Sequence, residues 1–98
     1  MSDPAEFHVA GLIRTAASAE ERARILLRAP DALVFQQTSQ ILRACFEVQF
    51  ALGMQFVEVR VAAMCARRQP DGELPPRDAA QVEMYRGLVH HLAKGREL

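Results

Sequence analysis

The chain has 98 residues, half of them apolar, and its twelve Lys and Arg residues are balanced by twelve Asp and Glu residues. This length fits one domain, and the zero net charge argues against a protein whose main task is to bind nucleic acid. Because so short a chain has a large surface for its volume, its apolar content favours burial against a partner or a second copy.

The sequence carries no sign of a membrane span or an export signal. No window reaches the roughly 18 uncharged apolar residues that cross a bilayer, and no basic segment precedes an apolar run at the N-terminus. Cys45 and Cys65 lie in apolar segments and are expected to be reduced, buried thiols. We therefore expect a cytoplasmic protein. Eleven of the twelve basic residues are Arg and Ala is the commonest residue, a bias typical of GC-rich bacterial genes.

The first predicted helix covers residues 4–17. Asp3-Pro4 is an N-cap followed by a proline in the first helical position. A single apolar stripe follows at helical spacing and is formed by Val9, Leu12, Ile13, Ala16 and Ala17.

The second predicted helix covers residues 19–29. Ser18 and Glu21 have the spacing of a capping box, and Pro30 disfavours helical geometry in the residue before it. Glu20 and Arg24 are four residues apart in the favourable order, so we expect them to form an ion pair.

A long third helix is predicted over residues 32–52, capped by Asp31 and stopped by Gly53. Its polar side consists of Gln36, Gln40, Arg43 and Glu47. The remaining surface is largely apolar and includes Phe35, Phe46 and Phe50, which predicts a central helix that packs on two sides. We place the core here, with Phe46 inside it.

Residues 54–68 have two interpretations. The run from Phe56 to Val61 alternates and is rich in β-branched residues, as in a strand, but Val57, Val61 and Met64 also share a helical face. A lone strand would have to pair with another chain, so consistency with the rest of the sequence favours a helix. An intermolecular strand over 54–62 stays open.

An exposed linker is predicted at residues 69–76, where Pro and Gly cluster, and a last helix over 77–94 that ends at Lys94-Gly95. The predicted fold class is all-α: a single small domain over residues 1–98, built as a four- to five-helix bundle or a short helical array.

The run from Leu26 to Arg68 resembles a helical hairpin of the tetratricopeptide kind, with the break between its helices at Leu52-Gly53. Aligning this pair with the Leu-Gly of the repeat puts Phe56 at an aromatic position and Cys65 at a small-residue position. The later aromatic and proline positions fall near Gln69 and Gly72, so the pattern is incomplete. No function follows from this resemblance.

Catalytic, metal and cofactor sites are not predicted. His90 and His91 are adjacent and point about 100° apart on a helix, and no paired cysteine or histidine motif has the spacing of a metal site. Neither cysteine has an adjacent base, and no carboxylate pair or glycine-rich phosphate loop occurs. We therefore predict a protein that is not an enzyme, with no catalytic, cofactor-binding or metal-binding residues.

The leading functional hypothesis is a small protein-binding module: an adaptor, chaperone, inhibitor or assembly subunit that uses an apolar helical face on another protein or on itself. The candidate contact residues are Tyr85, Leu88, Val89 and Leu92. One alternative is a small dimeric nucleic-acid-binding regulator that uses Arg60, Arg67 and Arg68. Another is an accessory subunit of a larger enzyme complex.

Overall fold

The computed structural model describes residues 8–66, 72 and 76–95, and within these ranges it contains six helices and no strand. The helices are α1 (Val9–Thr15), α2 (Ala19–Arg28), α3 (Asp31–Gln36), α4 (Thr38–Glu47), α5 (Ala51–Cys65) and α6 (Pro76–Ala93). The all-α prediction is confirmed, and residues 54–62 are helical. The helix count exceeds the predicted four or five because one predicted helix is divided.

The helix α5 lies at the centre of the fold. It packs against α2, α3, α4 and α6, while α1 packs against α2 and α4, and α6 packs against α2 and α5. The central helix is therefore α5 and not the predicted helix over 32–52. All six helices contribute to one core, whose largest fully buried side chains are Phe56, Ile13, Leu26, Ile41, Val9, Val34, Val57 and Val89.

The helix α1 begins later than predicted. His8 is its N-cap, with extended backbone, and the Nδ1 atom of His8 accepts a hydrogen bond from the backbone N–H of Gly11 at 3.1 Å. A helix that starts at residue 4 cannot pass through this extended residue, so the predicted start is wrong. The predicted cap Asp3-Pro4 lies outside the described residues.

The predicted capping box of α2 is confirmed. The backbone N–H of Glu21 donates to Ser18 Oγ at 3.2 Å, and the Glu21 carboxylate accepts from the backbone N–H of Ala17 at 2.7 Å. The predicted Glu20–Arg24 pair is not among the ion pairs of the described residues. At the start of α2 the side chains of Ser18 and Glu21 accept hydrogen bonds from backbone N–H groups that have no partner within the helix.

The predicted helix over 32–52 is wrong because it breaks at Gln37, between α3 and α4. The Thr38 hydroxyl donates to the carbonyl oxygens of Val34 and Phe35, at 2.7 and 2.8 Å, a local bond of the kind that bends helices. The side chain of Gln37 accepts from the backbone N–H of Val9 at 3.0 Å, which ties the break to the start of α1.

A second break falls at residues 48–50 and not at Gly53. Gln49 is left-handed, with φ of 58°, and its N–H donates to Phe46 O while the N–H of Phe50 donates to Cys45 O. These two bonds form a Schellman motif with glutamine in the place that glycine usually occupies. Gly53 lies inside α5, so the hairpin break proposed at Leu52-Gly53 is absent.

The last helix agrees with its prediction to within a residue at each end. It covers Pro76–Ala93, and Gly95 ends it with a positive φ of 78° and an N–H that donates to Leu92 O at 2.8 Å. Of the predicted linker 69–76, residues 69–71 and 73–75 lie outside the described residues.

Two arginines, the partly buried Arg22 and the buried Arg60, cap the C-termini of two helices. Arg22 of α2 donates to Ile13 O and Ala16 O at the end of α1, at 3.1 and 3.2 Å. Arg60 of α5 donates to Leu26 O and Ala29 O at the end of α2, at 2.9 and 3.0 Å. In both cases a cation meets the carbonyl oxygens and the negative end of a helix dipole, which stabilises the helix end.

The phenylalanines do not form one cluster. Phe50 and Phe56 are buried, but Phe46 is 72% exposed and Phe35 is also exposed. The prediction that Phe46 belongs to the core is wrong. After the break at Gln37, the face of α4 that packs on the core contains Ile41, Ala44 and Cys45. Arg43 is exposed, as are the other three members of the predicted polar side.

Candidate protein-binding groove between α2 and α6

The predicted contact stripe on α6 is mostly part of the core. Val89 is fully buried, and Tyr85 and Leu92 are partly buried against the core, so only Leu88 is exposed. Val89 is therefore a packing residue and not a contact residue. The exposed apolar side chains of this helix are Met84 and Leu88, one turn apart.

Arg60, the first residue of the predicted basic patch, is 4% exposed. Its guanidinium donates to two backbone carbonyls and to Asp31, and it lies 5.2 Å from the centroid of the Phe56 ring. In this arrangement it has no free donor face for a phosphate. Arg67 and Arg68 lie outside the described residues.

An open groove of about 720 Å³ lies between α2 and α6. Leu27 of α2 and Gly87 and Ala93 of α6 supply its apolar lining. Along α6 the lining extends from Glu83 to Ala93 and on to Lys94, which follows the helix, about 16 Å at the helical rise of 1.5 Å per residue. We call this surface the α2–α6 groove.

The charged side chains of the α2–α6 groove are mainly cationic. Arg24, Arg28, Arg86 and Lys94 line it together with His90, and among the described residues Glu83 is the only carboxylate in its lining. Glu83 lies 3.9 Å from Arg86, within the same helix. In the described part of the chain Arg24 and Arg28 form no ion pair. The described lining of the groove therefore carries an excess of positive charge.

Gly87 gives the α6 side of the groove a flat surface. It lies in the middle of an 18-residue helix, where glycine costs about 1 kcal/mol relative to alanine. A Cβ atom placed at Gly87 would meet no atom within 4 Å, so packing within the chain does not require glycine here. Gly53 is the opposite case, since a Cβ there would lie 2.5 Å from Cδ2 of Phe50.

The two cysteines lie in different environments. Cys45 is fully buried, and burial raises the pKa of its thiol to about 11, with Arg22 acting in the opposite direction. Cys65 is exposed, so the prediction that both are buried is wrong. Among the described residues no three or more His, Cys, Asp or Glu side chains are placed to hold a metal ion.

Sequence reasoning missed the α2–α6 groove because its two walls are more than fifty residues apart in the chain. Arg24 and Arg28 have the i,i+4 spacing of one exposed face, and Gly87 interrupts an otherwise good helical sequence. Those were the available signals. The pairing of α2 with α6 depends on tertiary packing, which no local pattern encodes.

Comparison with protein families, characterised proteins and solved structures gives no match to this chain. Within the described ranges, none of the helices has the length and hydropathy needed to cross a bilayer.

Proposed function

We propose that this protein is a small binding module that holds a segment of another protein in the α2–α6 groove. One observation carries the proposal: an open groove with an apolar lining lies between two core-packed helices, α2 and α6, which supply all of its described lining except Lys94. Grooves of this kind accept the apolar face of a helix.

Contacts within the chain hold both helices of the groove in place, which supports this function. The helix α2 is fixed at its start by the capping box of Ser18 and Glu21 and at its end by Arg60. The helix α6 is anchored by the buried Val89 and Ala93. A groove formed in advance binds with a smaller loss of conformational entropy than one that must be ordered by its ligand.

The dimensions favour a protein segment over a compact metabolite. The lining extends over about three turns of α6, the length of contact that an amphipathic helix makes with residues at i, i+3 or i+4, and i+7. Leu88 and Met84 lie on the same helix and extend its exposed apolar surface.

Site-specific photo-crosslinking in the source cell tests the proposal. A benzophenone side chain replaces His90, an exposed residue in the α6 wall of the groove, and the control carries it at Arg43, an exposed arginine on α4 that does not line the groove. We expect a discrete protein adduct from position 90 and none from position 43. Equal adducts at both positions, or none at position 90, would contradict a binding role for the groove.

A further inference from the structure

We infer that the segment bound in the α2–α6 groove is an acidic amphipathic helix, with an apolar ridge on the groove lining and carboxylates facing its arginines. This inference rests on the proposed function and specifies the chemistry of the partner. Three observations lead to it: the charge of the groove, the glycine in its wall and the apolar character of its lining.

The positive charge of the groove favours a partner with negative charge. Arg24 and Arg28 lie one turn apart on α2, and Lys94 lies on the opposite wall, so cations flank the groove on both sides. Arginine guanidinium groups bind carboxylates through paired hydrogen bonds. Glu83, the one acid in the described lining, is beside Arg86, which also lies 5.5 Å from the Phe56 ring. Arg24, Arg28 and Lys94 have no ion-pair partner among the described residues, so they can pair with the carboxylates of an acidic ligand.

Gly87 favours a partner that binds as a helix packed closely against α6. The absence of a side chain at this position lets another backbone approach α6 closely, as small residues do at helix–helix contacts. The cost of a mid-helix glycine is not compensated by any contact within the described chain. A close external contact at Gly87 supplies the compensation.

The apolar lining favours a peptide over a nucleic acid. Leu27, Gly87 and Ala93 match the apolar ridge of an amphipathic helix, whereas a nucleic acid would use only the cations and the His90 ring of the lining and leave these three residues without a partner. Arg60, one of the three arginines predicted for nucleic acid, is buried and bonded to backbone carbonyls. The test below includes an oligonucleotide, so binding of a nucleic acid would be detected.

Fluorescence anisotropy with synthetic peptides tests the inference. Three labelled amphipathic helices, as long as α6, share one leucine ridge and differ in their flanking residues, which are Glu, Gln or Lys. A fluorescent single-stranded oligonucleotide serves as a fourth probe. Each is titrated with the full chain, with Arg28→Glu and with Arg43→Glu, two variants that change the net charge equally.

We expect the Glu peptide to bind most tightly, with about a tenfold loss for Arg28→Glu and less than about a twofold change for Arg43→Glu. Added salt should weaken the binding of the Glu peptide, because the groove cations remain partly exposed to solvent. Circular dichroism of both variants confirms that their helix content equals that of the unaltered chain.

The other outcomes overturn the inference in distinguishable ways. Equal binding of all three peptides would leave a helix-binding groove without acidic selectivity, so the proposed function would stand and the inference would fail. Tighter binding of the oligonucleotide, lost in Arg28→Glu, would assign the arginines to phosphates. Binding of none of the probes would also overturn the inference, and the crosslinking at position 90 would then decide the proposed function separately.

Discussion

Arg60 donates a hydrogen bond to the carbonyl oxygen of Leu26 at 2.9 Å, and this oxygen is the one that Pro30 leaves without a helical partner. In a continued helix the N–H of residue 30 would bond to Leu26 O, but proline has no N–H. A side chain from α5, 34 positions further along the chain, therefore completes α2 and fixes one wall of the α2–α6 groove.

Replacing Arg60 by Met should destabilise the fold by about 3 kcal/mol. The substitution keeps an apolar stem beside Phe56 but leaves the carbonyl oxygens of Leu26 and Ala29 buried without donors. Asp31→Asn is the control, since the Asp31 side chain is 64% exposed and its ion pair should contribute less than about 1 kcal/mol. Urea unfolding measures both. Equal losses would show that the ion pair, and not the capping of α2, accounts for the contribution of Arg60.

Of the three glycines in the described helices, Gly53 and Gly87 should respond to alanine with opposite signs. Gly53→Ala places a methyl group against the buried ring of Phe50, and overpacking of this kind costs about 1–3 kcal/mol. Gly87→Ala meets no atom and should stabilise the fold by about 1 kcal/mol. Thermal unfolding of the two variants gives the comparison, and a gain in stability for Gly53→Ala would mean that the Phe50 ring moves aside easily.

Replacing Phe50 and Phe46 by alanine, one at a time, should distinguish a core side chain from a surface side chain. Phe50 is buried, so Phe50→Ala should cost about 3–5 kcal/mol. Phe46 is mostly exposed, so Phe46→Ala should change the free energy of unfolding by less than about 0.5 kcal/mol. A large loss for Phe46→Ala would contradict the orientation of α4 described above.

The fold should become less stable at alkaline pH because the buried thiol of Cys45 resists ionisation. Its pKa is raised by burial from 9.0 to about 11, so folding favours the neutral thiol. This contribution is complete below pH 9.0 and is lost as the pH rises towards about 11. Urea unfolding across this range should show a steeper decline for the unaltered chain than for Cys45→Ala. Parallel declines would indicate that Cys45 does not set the dependence.

The all-α class, the capping box of α2 and the bounds of α6 could be predicted from sequence, because caps and helix stops are local signals. The breaks at Gln37 and Gln49 could not, because neither site carries glycine or proline. The bond of Gln37 to the start of α1 is long-range, and Gln49 adopts a conformation that its residue type disfavours.

The candidate site was only partly accessible to sequence reasoning for a related reason. The stripe on α6 was recognised as apolar, but its periodicity could not distinguish the buried Val89 from the exposed Leu88. Arg60 resembled part of a basic patch because a buried arginine and an exposed one look alike in sequence. Its three acceptors come from α2 and α3, which only the folded chain brings together.

The most direct test of the α2–α6 groove as a binding surface is the Gly87→Leu variant, assayed for thermal stability and for adduct formation from the photo-crosslinker at position 90. The leucine should raise the stability of α6, because it is a better helix former than glycine and its Cβ has no described atom within 4 Å. It should also fill the groove and abolish the adduct. A more stable protein without the adduct is the predicted result. An adduct of undiminished yield from the stabilised variant would contradict the binding role of the groove.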